Sequence, residues 1–528
     1  MKTTPDMRSL RRDTASQKWM AALVGVSLLA SGACTALVDR SSTQCDADSD
    51  CERFGGHPYC QGGVCVASGL GPADCFYGTP QQPSDFLNQC STAQCLSFDN
   101  CQRLGLCGGS SDVDAALASP PAPTASATSV ALMSDGGEGT EAGAGDELPS
   151  CLDPTNGRSQ VIFITGSSNF PPLLSKLTPL ILATGYTPVY QVTNSCTGVS
   201  SVLGSTHVIN DPAPGGSGKP AQYFQMDGTA IPCALGPEGA TVDVGESDIF
   251  SSTCSGYGTP GAGVAEYLGP IQAMTFVVPG VSAQQAISAE AARAVFGMGG
   301  DHGAGAPWTN PSLYFVRNQS TGTQQMIGKA INVPAGAFWG IDRGTAAAVD
   351  SDLRVISDPA LANQAIGIIS ADYYDDDRAN LKALAFEADG QDCAYLPDST
   401  PFTKDKQNVR DGHYPIWGPI HFFTAVAGGI PVSPAATAFV SVVSVPNLAS
   451  QLLDAFIASS LVPSCAMLVQ RSTELGPQSA YSAPFQCRCY FSASVDGTAP
   501  AECTKCTTAS DCGDPSRPAC NLGYCEVQ

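Results

Sequence analysis

Residues 160–185 read QVIFITGSSNFPPLLSKLTPLILATG. Val161 to Ile164 is an unbroken apolar run of buried-strand length. Thr165 to Phe170 is a loop of Gly, hydroxyl and amide residues, and Pro171 onward is a helical run. A strand that feeds such a loop and then a helix makes an anion cradle. Free backbone N–H groups and the positive helix end point at the loop, and hydroxyls add donors.

The design recurs three times. The strand from Pro188 to Val192 leads to Asn194-Ser195-Cys196-Thr197-Gly198 and a helix pattern at Val199, Val202 and Leu203. The strand from Val242 to Val244 leads to Gly245-Glu246-Ser247-Asp248. The strand from Leu313 to Val316 leads to Arg317-Asn318-Gln319-Ser320-Thr321-Gly322-Thr323 and the helix QQMIGKAI. Strands alternating with helices predict an α/β domain, with its ligand at the carboxyl ends of the strands. A single loop of this kind is ordinarily a capped turn. Four on one domain, one of them carrying an Arg in a chain poor in basic residues, read as an oxyanion site.

Other stretches continue the order: Val295-Phe296-Gly297 before Trp308, then Ala365-Ile366-Gly367-Ile368, Leu381-Lys382-Ala383-Leu384 and Tyr414-Pro415-Ile416. With these motifs, residues 158–460 resemble the phosphate-binding proteins of bacterial phosphate ABC transporters. The resemblance implies a two-lobed periplasmic binding protein-like fold of type 2. Its lobes would be residues 158–275 with 412–475, and residues 276–411. It also implies ligand contacts from Asn169, Phe170, Ser195, Asp248, Arg317, Thr321, Gly322 and Thr323. Arg317 would make a two-pronged, charge-assisted bond to the anion, and Ser195, Thr321 and Thr323 would donate hydroxyls. Asp248 would accept a bond from a ligand that keeps a proton, favouring hydrogen phosphate over sulfate. Asn169 stands where the family usually has Thr, and Thr321 where it has Ser.

The rest of the chain frames this domain. Its 528 residues carry 25 Lys and Arg against 48 Asp and Glu, a net charge of −23, which argues against a nucleic-acid partner. Its 23 Cys point to an oxidising compartment. Residues 1–33 read as a signal peptide: Arg8, Arg11, Arg12 and Lys18, then the short apolar run WMAALVGVSLLA, then Ser31-Gly32-Ala33-Cys34. The last four look like a lipobox with Ser31 in the usual Leu position, so Cys34 is the expected lipidation site. The alternative is an ordinary signal with Cys34 in a disulfide.

Residues 34–107 form a cysteine-rich stretch. Residues 45–107 hold nine Cys, so at least one must pair outside. Residues 108–150, small, acidic and Pro-containing, predict a disordered linker. The two-lobe domain would then run over 151–475, with a C-terminal cysteine-rich module over 487–528. Within these flanks a module occurs twice. CDADSDCERFGGHPYCQGGVC (45–65) and CTTASDCGDPSRPACNLGYC (506–525) have the spacings C-x5-C-x8-C-x4-C and C-x5-C-x7-C-x4-C, and share a Ser-Asp before the second Cys and a Gly-x before the fourth. A first–third and second–fourth pairing is favoured for each.

His207, His302, His413 and His421 are scattered without metal-ligand spacing, and no catalytic triad order is visible. No metal, cofactor or catalytic residue is therefore expected. The sequence predicts a lipid-anchored, extracytoplasmic solute-binding protein for phosphate or a similar oxyanion. It would be held to the membrane through Cys34 and partnered by an ABC permease or an envelope protein. Two alternatives stand beside it: a non-transport surface interaction or adhesion protein on the same fold, and a secreted phosphoesterase.

Overall fold

The apolar runs pair into one mixed sheet of twelve strands. In chain order these are β1 Gln160–Gly166, β2 Tyr186–Val192, β3 Ala221–Phe224, β4 Ala230–Cys233, β5 Val244–Ser247, β6 Val264–Pro279, β7 Tyr314–Val316, β8 Ile341–Asp342, β9 Ile366–Ser370, β10 Leu381–Ala383, β11 Trp417–Ala427 and β12 Ile430–Pro431. The structure, a computed structural model, describes residues 59–61, 64–66, 75–76, 79–104, 148–153, 160–204, 208–210, 220–300, 305–444 and 450–527. The signal segment, Cys34 and most of the expected linker lie outside the described residues. Residues 1–70 and 71–528 form two separate units. The cysteine-rich stretch expected over 34–107 is therefore divided between them.

The strand order is β8-β7-β9-β6-β11-β5-β1-β2-β3-β4, with β10 on β6 and β12 on β11. On one side β1 is parallel to both β2 and β5; on the other β7 is parallel to β8 and β9. The chain crosses from one half of the sheet to the other along β6 and returns along β11. These two strands pair antiparallel from Val264↔Ala425 to Ala273↔Trp417. Beyond that point β6 continues as the neighbour of β9, from Met274↔Ser370 to Val277↔Gly367. The expected lobe boundary at 275/276 therefore falls inside β6, which serves both halves. Parallel strands covered on both faces need continuous apolar runs. Ile162 and Ile164 of β1 and Ile366, Ile368 and Ile369 of β9 are fully buried, each contributing ~1.5–3 kcal/mol.

Eight disulfides join described residues of the second unit. Cys151–Cys233 and Cys196–Cys254 staple the first half of the sheet. Cys95–Cys393 is the pairing that leaves the N-terminal cysteine stretch, and the backbone bridge Leu96↔Ala394 runs beside it. Cys75–Cys90, Cys465–Cys487 and Cys489–Cys503 close shorter loops.

In the C-terminal module Cys506–Cys520 and Cys512–Cys525 give the first–third and second–fourth pattern. The repeated Ser-Asp also acquires a role there. Asp511 Oδ2 accepts from the amides of Thr507 and Thr508, each at 2.8 Å. Those amides, Thr507 foremost, hold its carboxyl down at about 2. In the other unit the hairpin Tyr59–Gln61 with Val64–Val66 sets Cys60 opposite Cys65, the register in which Cys520 faces Cys525. Peptide mapping without reduction should therefore recover Cys45–Cys60 and Cys51–Cys65. Any other pairing of these four would break the equivalence of the two modules.

Candidate functional site

Three strand ends of the first half converge because their backbones lie almost in contact. Ser195–Leu203 forms a helix whose first turn is capped by Asn194, the side chain accepting from Thr197 N at 2.9 Å. A Cβ on Gly198 of this helix would stand 1.8 Å from Glu246 O. Only glycine allows this approach, and it sets Ser195 against the loop after β5. The Cys196–Cys254 bond fixes the same contact covalently. The loop after β1 enters from the other side, ahead of the helix Pro171–Ala183.

These three loops surround Asp248, which is 1% exposed. Its Oδ2 accepts from Ser167 Oγ at 2.5 Å, Asn169 Nδ2 at 3.1 Å and Ser195 Oγ at 3.3 Å. Burial pushes the Asp248 carboxyl up. Ser167, the Arg317 guanidinium, Ser195 and Asn169 pull it back. Glu246 lies two residues earlier, on the same face of the strand. Its Oε2 accepts from Ser167 N at 2.7 Å and from Tyr190 Oη at 3.1 Å. Burial first, and then the neighbouring Asp248, raise the Glu246 carboxyl well above the usual range.

The second half supplies the cation. Arg317 follows β7 and is 1% exposed. Its Nη2 donates to Ser168 Oγ at 2.8 Å, its Nε to Gly344 O at 3.0 Å and its Nη1 to Thr323 Oγ1 at 3.5 Å. Burial lowers its pKa to about 10, against the pull of Asp248, Asp342 and Asp372, so it is charged at neutral pH. The helix Gly322–Ala330 begins beside it, with Thr321 as its cap. Gly322 N donates to Ser195 Oγ at 3.0 Å. A Cβ on Gly322 would stand 2.5 Å from Asp248 Cβ, so this position too requires glycine. Asn169 Nδ2 reaches Thr323 Oγ1 at 3.3 Å, and Cys196 N donates to Ser320 O at 3.3 Å. The two halves of the sheet thus meet directly at the site, in a closed arrangement.

Of the eight residues named from sequence, Asn169, Ser195, Asp248, Arg317, Gly322 and Thr323 come together. Thr321 turns its hydroxyl into its own cap, donating to Asn318 O at 2.7 Å. Phe170 is a wall of the core: its ring lies 5.4 Å from Tyr190 and 5.5 Å from Phe422, and its amide donates to Ser167 O. Ser167, Ser168 and Glu246 join the site unannounced, although strand alternation puts Glu246 on the face of Asp248.

Asp372 was also missed. It lies in the short helix Ala371–Asp376 after β9, at the sheet edge from which Arg317 projects, and its Oδ1 accepts from Gln272 Nε2 at 3.0 Å. Burial raises its carboxyl to about 7.

His413 is held by Asp411 and Gln89 O, and His421 by Glu266, each at 2.6 Å. His207 and His302 lie outside the described residues. Among the described residues the metal-compatible cluster is Cys506, Cys512 and Cys525, all consumed in disulfides. No described helix is long and apolar enough to cross a membrane.

No family model matches the chain, and no curated protein matches it. Among solved structures it is similar to an ABC-type phosphate transport receptor from Vibrio cholerae, at 12% identity and a TM-score of 0.36, over 57% of this chain and 99% of that one. PstS from Borrelia burgdorferi matches at 14% identity and a TM-score of 0.32, over 58% and 98%. An OxyR mutant from Corynebacterium glutamicum matches at 9% identity and a TM-score of 0.31, over 58% and 68%.

Proposed function

We propose that this chain is an extracytoplasmic oxyanion-binding protein that closes the two halves of its sheet around phosphate or a close analogue. The observation that carries this reading is the burial of Arg317 and Asp248 together where four strand-end loops meet, ringed by Ser167, Ser168, Asn169, Ser195 and Thr323. Such a set offers one fixed cation, several neutral donors and one acceptor, which suits an oxyanion that keeps a proton. Its disulfides fit an oxidising compartment. The deciding experiment is calorimetry of the purified chain against phosphate, arsenate and sulfate. Phosphate and arsenate should bind and sulfate should not. Failure of all three at millimolar concentration would hand the chain to the second reading, a surface interaction protein. That reading draws on the matched hairpins at 59–66 and 519–526. A secreted phosphoesterase is the third; no turnover of a chromogenic phosphate ester is expected.

The proposal extends to the membrane. Lipid on Cys34 would tether the protein, and an ABC permease or an envelope partner would receive the ion. Cys34→Ser should leave the protein unprocessed or release it from the membrane fraction. Unchanged anchoring of that variant would remove the tether from this account.

A further inference from the structure

We propose that Asp372 is a second proton acceptor of this site, so that the species bound is an oxyanion keeping two hydroxyls, such as dihydrogen phosphate. The inference rests on the oxyanion reading above and goes beyond it by fixing the ligand's proton count.

Topology places Asp372. Strands β7 and β9 are parallel neighbours, with Phe315 opposite Gly367. Their carboxyl ends therefore open on the same edge of the sheet. Arg317 leaves the first, and the Ser370–Asp372 segment leaves the second. Gln272, on the crossing strand β6 and 1% exposed, donates its amide to Asp372 Oδ1 and holds the carboxylate at that edge. Arg317 feels the Asp372 charge and Asp372 that of Asp248, so the carboxylate stands within electrostatic reach of the site on the second half, as Asp248 stands on the first.

Charge arithmetic then constrains the ligand. Asp248 acts on Asp372, which also has bonds from Ser370 and Gln272, while Asp248, Asp342, Asp372 and Tyr373 all act on Arg317. Asp342 is already engaged by Gly344 N at 2.8 Å and Asn318 Nδ2 at 3.3 Å. Glu474, whose carboxyl Asp248 helps to raise, accepts from Phe250 N at 3.2 Å. One guanidinium thus faces two acceptors that need protons. A dianion with one hydroxyl satisfies only Asp248 and sets its remaining charge against Asp372. A monoanion with two hydroxyls donates to both. Burial already holds the Asp372 carboxyl at about 7, so the proton that separates these two states is exchanged near neutral pH.

The sign follows from linkage. Above about pH 8 the free partners are the dianion and a charged Asp372, and the complex holds one proton more. The phosphate Kd should therefore rise about tenfold per pH unit. A site with Asp248 alone would bind the dianion, and its Kd would stay flat or fall over the same range. The test is calorimetry with inorganic phosphate on the full chain over this range. At about pH 8 it is repeated in buffers of different ionisation enthalpy, which counts protons without any mutation. Uptake of about one proton per phosphate is expected, and uptake near zero overturns the proposal. Asp372→Asn should flatten the pH profile, and Asp372→Glu should keep its slope. The wild-type slope persisting in Asp372→Asn also overturns the proposal. A wild type that binds phosphate with no proton uptake removes the role of Asp372 and leaves the oxyanion reading standing. A wild type that binds no phosphate at any pH removes both.

Discussion

Arg317→Ala is expected to lower oxyanion affinity by two to three decades. Truncating a buried, hydrogen-bonded charge that holds an ionised ligand costs ~2–5 kcal/mol. Arg317 meets each condition: it is 1% exposed, it remains charged at neutral pH, and it reaches across to Ser168 of the opposite half. The sequence alone suggests a surface loop, and so a loss of binding with the fold untouched. The structure changes that expectation. The guanidinium is one of the bonds that close the site, and its removal leaves Asp248 buried without its countercharge. The variant should stay folded with a lower melting temperature, and the loss should shrink at acid pH. There Asp248 takes up its proton, and its uncompensated charge disappears. Calorimetry against phosphate together with thermal melts at two pH values separates the effects. Wild-type affinity in the variant would mean that the ligand sits elsewhere.

The legible part of this protein was its strand-loop-helix grammar. Val161–Ile164, Pro188–Val192 and Leu313–Val316 carry their apolar runs openly, and the loop after each can be read for donors. Those loops therefore carry Asn169, Ser195 and Arg317 legibly in the sequence. The hydroxyl of Thr321 turns away from the site for a local reason. A Thr before a helix satisfies the first-turn amides before it serves a ligand, and Thr321 caps Gln324 N at 3.4 Å. The Phe170 ring serves the core for a tertiary one: Tyr190 and Phe422, far apart in sequence, enclose it. Asp372 was hidden by its neighbours. Tyr373 to Arg378 looks like the event in that stretch, yet Asp375 is spent on Arg378 and Lys406. The acceptor proposed above, Asp372, stands one place before Tyr373, and the parallel pairing of β7 with β9 puts it at the sheet edge of Arg317. The split of the cysteine-rich stretch at residue 70 was equally invisible, because spacing does not reveal that Cys95 seeks Cys393.

Asp248→Asn should act on selectivity where Arg317→Ala acts on affinity. Three donors converge on one oxygen of this carboxylate: Ser167 Oγ, Asn169 Nδ2 and Ser195 Oγ. In the amide only the carbonyl oxygen can accept all three. They would therefore fix the rotamer and turn the NH₂ to the place of Oδ1. An acceptor that repels a fully ionised oxyanion becomes a donor that welcomes it. A site with a buried acceptor rejects a ligand lacking the matching proton by up to about four to five decades. Reversing that one group should erase at least about two decades of the preference for phosphate over sulfate, chiefly through a gain in sulfate binding. The substitution also removes the charge that, next to burial, lifts Glu246. The Glu246 carboxyl should then titrate lower, so any pH dependence it lends to binding should move down with it. Competition of sulfate against phosphate, measured for wild type and variant in the same buffer, decides the matter. If the variant keeps the full wild-type preference, the ligand's proton is read by another group, and Asp248 is a scaffold for Ser167 and Ser195 rather than the arbiter of the anion.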